Sequence, residues 1–181
     1  MFSVPFEHFP CVKHHQEYKN ILLRKFESNL EIENGYRTDF FKNDREKIIP
    51  DYYKIVANAL GEHLQSIEKN TGFALDIVCM WYQMTSKGEM HQVHTHGATG
   101  LSCIWYLEFD PEVHKATTFF APFHDPFTGD LIERKPQIKE GDFVVFPSFL
   151  MHQQEGNVSD KRRTIISFNL SGPKPQPFSY K

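Results

Sequence analysis

The chain has 181 residues, 40% of them hydrophobic and 14% aromatic, the size and apolar content of one ordinary domain with a sizeable core. A formal charge of −3 and a pI near 6.4 offer no basic field to nucleic acid or to an anionic membrane surface, so bulk binding of either is not expected. Cys11, Cys79 and Cys103 are widely spaced and form no C-x-x-C pair, there is no signal-like start, and no apolar run approaches ~18 residues; the expected setting is the reducing cytoplasm.

Two helices precede a strand-rich region. From His14 to Leu30, the residues Tyr18, Ile21, Leu22, Phe26 and Leu30 recur at three-to-four spacing, which predicts a helix with one buried stripe. A second stripe, Tyr53, Val56, Leu60, Leu64 and Ile67, starts after Pro50, which suits a first helical turn, and ends near Asn70-Thr71-Gly72. Phe73 to Met84 follows with β-favouring residues that are apolar on both alternating faces, as in a strand buried between a helix layer and an interior. Further strands are expected over Leu101 to Phe109, Ala116 to Ala121, Gln137 to Pro147 and Thr164 to Leu170, separated by segments carrying Pro, Gly, Asp and Lys. Strands after two helices, without βαβ alternation, predict a mostly antiparallel sandwich or barrel with helices on one side. The chain reads as one domain over 1–181. Residues 1–72 form a helical part packed on the barrel, 73–170 the barrel core, and 171–181 a proline-rich tail that cannot continue a sheet.

The chemistry concentrates in three places. His94-Thr95-His96 on a strand would present two imidazoles on one face, with Cα atoms about 6.6 Å apart at ~3.3 Å rise per residue. Gly141-Asp142 turns into the apolar Phe143-Val144-Val145-Phe146-Pro147, which leads to His152, a third imidazole on a facing strand. Arg163 opens the last strand. An arginine on a buried strand needs an anionic partner, and its planar guanidinium grips carboxylates bidentately. Three ligands on one face of an octahedron are what an oxygen-activating non-haem iron centre requires. His14, His15, His91 and His124 read as loop or helix-surface imidazoles, and Trp81 and Trp105 as packing residues.

These segments resemble the iron(II)- and 2-oxoglutarate-dependent oxygenases, in the small prolyl-hydroxylase-like branch with bacterial and phage members. The resemblance runs from Trp81-Tyr82 through Lys87-Gly88-Glu89, His94-Thr95-His96, Leu101 to Leu107, Gly141 to His152, and Arg163 to Asn169, about half the chain. It implies a mainly β fold with flanking α-helices, a double-stranded β-helix or cupin-like jelly roll. It implies Fe(II) held by His94, His96 and His152, and 2-oxoglutarate bound by Arg163 with a phenol from Tyr82 or Tyr106. The implied reaction is a dioxygenase hydroxylation of a C–H bond in a peptidyl or small-molecule substrate, with release of succinate and CO2.

Two departures stand out. The wider superfamily favours H-x-D or H-x-E, so a carboxylate such as Asp110 or Asp125 is an alternative to His96, and three neutral imidazoles leave the metal site one unit more positive. The frequent Arg-x-Ser is here Arg163-Thr164-Ile165, with Ser167 on the same strand face as a replacement hydroxyl and Arg162 pointing the other way, to solvent. Gly141, Pro147 and His152 also echo a cupin motif, which keeps open a metal enzyme that does not use 2-oxoglutarate. A barrel that binds metal or metabolite without turnover is the remaining reading.

Overall fold

A computed structural model describes residues 5–27, 32–33, 36–46 and 48–172. In chain order its elements are β1 (Glu7–Phe9), α1 (His15–Glu27), β2 (Ile32–Glu33), β3 (Tyr36–Thr38), α2 (Phe40–Glu46), α3 (Tyr53–Thr71), β4 (Asp76–Thr85), β5 (His91–His94), β6 (Leu101–Glu108), β7 (Thr118–His124), β8 (Leu131–Arg134), β9 (Phe143–Pro147), β10 (His152–Gln154) and β11 (Arg163–Ser171). They form a seven-stranded sheet in the order β1-β9-β6-β11-β4-β3-β2 and a four-stranded sheet in the order β5-β10-β7-β8, with every pairing antiparallel. This is the sandwich of a double-stranded β-helix, with α1 and α3 laid on the outer face of the larger sheet.

The helix stripes are the faces that become buried. Leu22 and Phe26 of α1 and Val56, Leu60 and Ile67 of α3 meet Met80, Tyr82 and Met84 of β4, Trp105 and Leu107 of β6, and Ile166, Phe168 and Leu170 of β11. Ile21 stays exposed, and Leu30 lies outside the described residues. Pro50 sits just ahead of α3, its carbonyl accepting from Tyr53 N, while Gly72 closes the helix at φ +74, a left-handed cap that suits glycine. A second apolar cluster fills the space between the sheets: Ile104, Tyr106, Phe109, Phe119, Ile138, Val144, Phe146, Leu150 and Ile165. Among the described residues no helix is long and apolar enough to cross a membrane.

Several expected boundaries move, each for a local reason. β4 begins at Asp76 rather than Phe73 because Leu75 N is taken by Glu68 Oε1 of α3 at 2.9 Å instead of by the sheet. β7 runs on to His124 past Pro122, whose missing N–H falls where the pairing with β8 slips register between Phe120 and His124. Residues 137–142 are not strand: a turn at Glu140-Gly141 leads into β9, with Gly141 at φ +91 and a Cβ at that position only 3.1 Å from the His15 ring. His15 is therefore buried beside Gly141 and Trp105 and not on a helix surface. The elements α2, β1, β2, β3 and β8 go beyond the sequence reading, most being too short to carry a periodic signal, while β5 and β10 are the strands expected to carry His94 and His152, with β5 ending before His96. The proline-rich stretch 173–181 lies outside the described residues.

Asp39 explains how α2 is held. Its buried carboxylate accepts from Tyr82 N at 3.0 Å, Asn43 Nδ2 at 2.8 Å and the Tyr52 hydroxyl at 2.8 Å, so it continues the β3–β4 ladder where β3 turns away into α2. Burial pushes its pKa up, against the pull of those donors.

Gly100 tests this packing, because it is at φ +90 and a Cβ there would lie 2.5 Å from the Leu170 carbonyl oxygen of β11. Gly100→Ala is expected to lower stability by about 2–4 kcal/mol, from backbone strain plus overpacking, in a urea titration; an unchanged midpoint would contradict the placement of this turn.

Candidate metal centre and its two cavities

The three histidines singled out in the sequence converge. His94 closes β5 and pairs across the smaller sheet with His152, which opens β10. His96 lies beyond the end of β5, so strand alternation does not place it. Its N–H donates to the Ser148 carbonyl at 2.9 Å, and Ser148 N donates back to the Gly100 carbonyl at 3.0 Å, clamping the His96 loop to the turn after β9. One donor atom from each of His94, His96 and His152 lies within 4.8 Å of the others.

The ring nitrogens are arranged as ligands. Nδ1 of His94 faces the Gln92 carbonyl at 2.7 Å, and Nδ1 of His152 faces the Leu150 carbonyl at 2.8 Å. A carbonyl can only accept, so Nδ1 carries the proton in both rings and Nε2 is left with its lone pair toward the cavity. Two nitrogens each about 2.1 Å from one ion, at angles between a right angle and a tetrahedral one, stand roughly 3.0–3.4 Å apart. The 3.2 Å between His96 Nε2 and His152 Nε2 falls inside that range, and with a His94 nitrogen within 4.8 Å of both the three donors are grouped as a metal ion requires. Burial is the main cause that lowers the pKa of His96 to about 3 and of His152 to about 4, with neighbouring imidazoles adding to it; His94 is lowered too, again chiefly by burial. The rings are thus neutral and available to a cation at physiological pH. Neither carboxylate alternative joins them: Asp110 pairs with Lys161, and Asp125 accepts from Phe127 N and Thr128 N in its own turn.

An inner cavity joins this cluster to Arg163. Its walls come from alternate residues of the larger sheet: Trp81 and Gln83 of β4, and Arg163, Ile165, Ser167 and Asn169 of β11. Arg163 is 1% exposed, and among the described residues no carboxylate pairs with it. Its partners are neutral: Gln154 Oε1, Thr117 Oγ1 at 3.5 Å, and the ring of Tyr106, whose centroid is 5.3 Å from Cζ. Its Nε has no partner among the described residues. Burial draws its pKa below the usual arginine value, yet an arginine remains charged, so a buried cation faces a polar cavity with one donor to spare. Gln154 is itself held by Gln83 at 3.1 Å and Thr85 at 2.9 Å. The inner cavity is tight, with about 20 Å³ of free space, so an anion reaching Arg163 takes the place of the Gln154 carbonyl there. A carboxylate there would pair bidentately with the guanidinium and bring the opposite charge that the Gln154 carbonyl lacks.

The remaining expected residues divide. Ser167 lines the inner cavity on the same strand face as Arg163. Tyr106 is fully buried behind the cavity wall, its hydroxyl donating to Thr117 at 2.9 Å and its ring lying 5.3 Å from Cζ of Arg163. Tyr82 is a correction. It points to the opposite face of β4, stacked on Phe26 of α1 at 4.3 Å, because the inward phase of that strand belongs to Trp81 and Gln83. Arg162 does point away from the cavity, but to a bidentate pair with Glu108 and a further contact with Glu27 rather than to free solvent. His91 was underestimated: its ring stacks on His94 at 4.0 Å, and burial holds its pKa down to about 4. The signal for it was its place three residues before His94 on a short strand. Trp81, expected as packing, forms wall with its ring 5.3 Å from that of His96.

Residues 79–169, half of the chain, match the family model for 2OG-Fe(II) oxygenases, and the chain belongs to that family. Its cofactors are accordingly Fe(II) and 2-oxoglutarate. Among solved structures, the epimerase SnoN in complex with Fe3+, alpha-ketoglutarate and nogalamycin RO superposes with a TM-score of 0.71 at 16% identity, covering 93% of this chain and 79% of that one. The viral collagen prolyl hydroxylase of Paramecium bursaria Chlorella virus-1, a 2OG complex, gives 0.63 at 11% identity over 93% and 96%. A Pseudomonas putida prolyl-4-hydroxylase gives 0.63 at 12% over 97% and 90%. At these identities the likeness is one of fold, the double-stranded β-helix. No curated protein sequence matches the chain.

The lowered imidazole pKa values set a pH dependence. Unfolded histidine takes up a proton near 6.5, whereas His91, His96 and His152 do so only at about 3 to 4 in the folded chain. Between those values the unfolded state holds more protons, so stability falls as pH drops through that window. The thermal midpoint of the metal-free protein is expected to decline from pH 7 to pH 5, with a shallower decline in His96→Asn; a flat wild-type profile would contradict the buried, neutral cluster.

Proposed function

We propose that this oxygenase is a dioxygenase that hydroxylates a C–H bond of a small-molecule or peptidyl substrate. In this reading His94, His96 and His152 hold Fe(II), and Arg163 anchors the distal carboxylate of 2-oxoglutarate. The carrying observation is the buried Arg163: a guanidinium without a carboxylate, in the same cavity as a three-nitrogen cluster. A metal enzyme that did not use 2-oxoglutarate would have no need for it, so nothing favours the cupin-type reading.

When bound, Fe(II) and 2-oxoglutarate supply the oxygen chemistry: one atom of O2 goes to the substrate C–H, and the other to succinate as 2-oxoglutarate loses CO2. The chain's own residues position and enclose. The Gln92 and Leu150 carbonyls fix two rings with Nε2 inward, and the Ser148 carbonyl fixes the loop that carries the third. Arg163 and Ser167 offer donors to a carboxylate, with Thr117 alongside. Ile104, Phe146 and Ile165 line the same cavity and exclude water from it. Three neutral imidazoles leave the full charge of the metal uncompensated, which favours a doubly negative cosubstrate over a neutral one. The cytoplasm is the proposed location.

Anaerobic addition of 2-oxoglutarate to the Fe(II)-loaded protein is expected to produce a weak visible charge-transfer band, lost in His152→Ala with its iron. In Arg163→Ala the 2-oxoglutarate affinity is expected to fall at least tenfold with iron retained. Full turnover by His152→Ala, or unaltered affinity in Arg163→Ala, would overturn the corresponding role.

A further inference from the structure

An outer cavity of about 600 Å³ opens onto His94 and His96 of the same cluster from the other side. Tyr36 of β3, Phe40 and Phe41 of α2, and Trp81 of β4 form one wall, and the segment Met90 to His96 forms the other. Its aromatic rings make a chain that ends at the metal cluster. Phe41 meets Phe40 at 5.1 Å, Phe40 meets Trp81 edge-on at 5.0 Å, and Trp81 meets His96 at 5.3 Å. On the facing side Met90 and Val93 are each 50% exposed, so apolar surface stands open at the mouth. Among its described lining residues there is no Asp, Glu, Lys or Arg.

We infer that this outer cavity is the substrate chamber and that its substrate is a neutral, ring-bearing small molecule larger than a single amino acid. The assignment rests on the oxygenase reading for the role of the histidines at its floor. Three physical arguments carry it. The volume lies within the roughly 300–1,000 Å³ of cavities that enclose drug-sized ligands. The wall returns about 25 cal/mol for each Å² of apolar surface it covers, and its ring edges and faces suit stacking. A charged substrate would leave water without an opposite charge to meet, and burying an unpaired charge is costly. The polar groups that do line it, Gln92, Thr95 and the His91 ring, can orient a hydroxyl or carbonyl on such a molecule without demanding a charge.

The test compares 2-naphthol with 2-(aminomethyl)naphthalene, a cation of the same ring system, by ligand-observed NMR titration of the full chain, both metal-free and loaded with Zn(II) and 2-oxoglutarate. The neutral probe is expected to bind at least tenfold more tightly in both forms, and Phe40→Leu, which keeps apolar bulk and removes a ring, is expected to weaken it at least threefold with an unchanged thermal midpoint. Equal or tighter binding of the ammonium probe, no binding of either, or stronger binding of a capped Gly-Pro-Gly peptide than of 2-naphthol would overturn the inference. The charge-transfer band separates the two readings. Probe discrimination without the band removes the oxygenase role and keeps the chamber's preference, whereas the band without discrimination removes only the preference.

Discussion

The arrangement depends on β11, a strand hydrogen-bonded on both edges and covered on both faces. It lies between β4 and β6, and from Thr164 to Leu170 each residue pairs to both sides. Alternation along it then divides the molecule. Ile166, Phe168 and Leu170 enter the core beneath the helices, while Arg163, Ile165, Ser167 and Asn169 face the inner cavity. A slip of one residue would exchange the two sets, burying a guanidinium under α1 and opening phenylalanine to the metal cluster. The helix layer is thus part of the site's construction: by sealing one face of the sheet with apolar contacts, it forces the polar phase to the other.

Electrostatics follow from the same geometry. The inner cavity contains a buried cation and four imidazoles, His91, His94, His96 and His152, held neutral chiefly by burial, with no carboxylate in its lining, so its preference is for negative charge. The outer cavity, which shares Trp81, His91, His94 and His96 with it as a common wall, is otherwise mostly aromatic and aliphatic. Charge recognition and shape recognition are therefore on opposite sides of one cluster. The outer wall is built from β3, α2 and the β5 segment, whereas the inner walls come from β4 and β11, so beyond the shared wall the two cavities rest on different elements. The fold neighbours, which include an epimerase and prolyl hydroxylases, share the scaffold and differ in what they act on.

Much of the site was legible because its residues carry chemistry that a core does not need. An H-x-H pair, a distant histidine after a buried strand, and an arginine opening another are conspicuous against an apolar background, and the structure brings His94, His96, His152 and Arg163 to one cavity. The tyrosines were not legible in the same way. Trp81 and Tyr82 are adjacent, both aromatic and both buried, and nothing in their identity says which one faces the cavity; the pairing of Tyr82 with Ile166 on β11 decides it. His91 was passed over because the meaning of its ring comes from stacking on His94 and from facing both cavities, contacts that exist only after β5 pairs with β10.

By itself the sequence determined what periodicity and residue chemistry can carry: two amphipathic helices, the long strands, the three imidazoles and the arginine. It also determined the absence of a basic field, since charge composition needs no coordinates. Tertiary structure decided phase and proximity. The short strands β5 and β10 have no repeat long enough to read, yet their antiparallel pairing sets His94 opposite His152, and a single hydrogen bond to Ser148 sets His96 beside them. The physical reason is that a period of two fixes which residues share a face but not which face is inward; only packing against α1 and α3 on one side makes that choice.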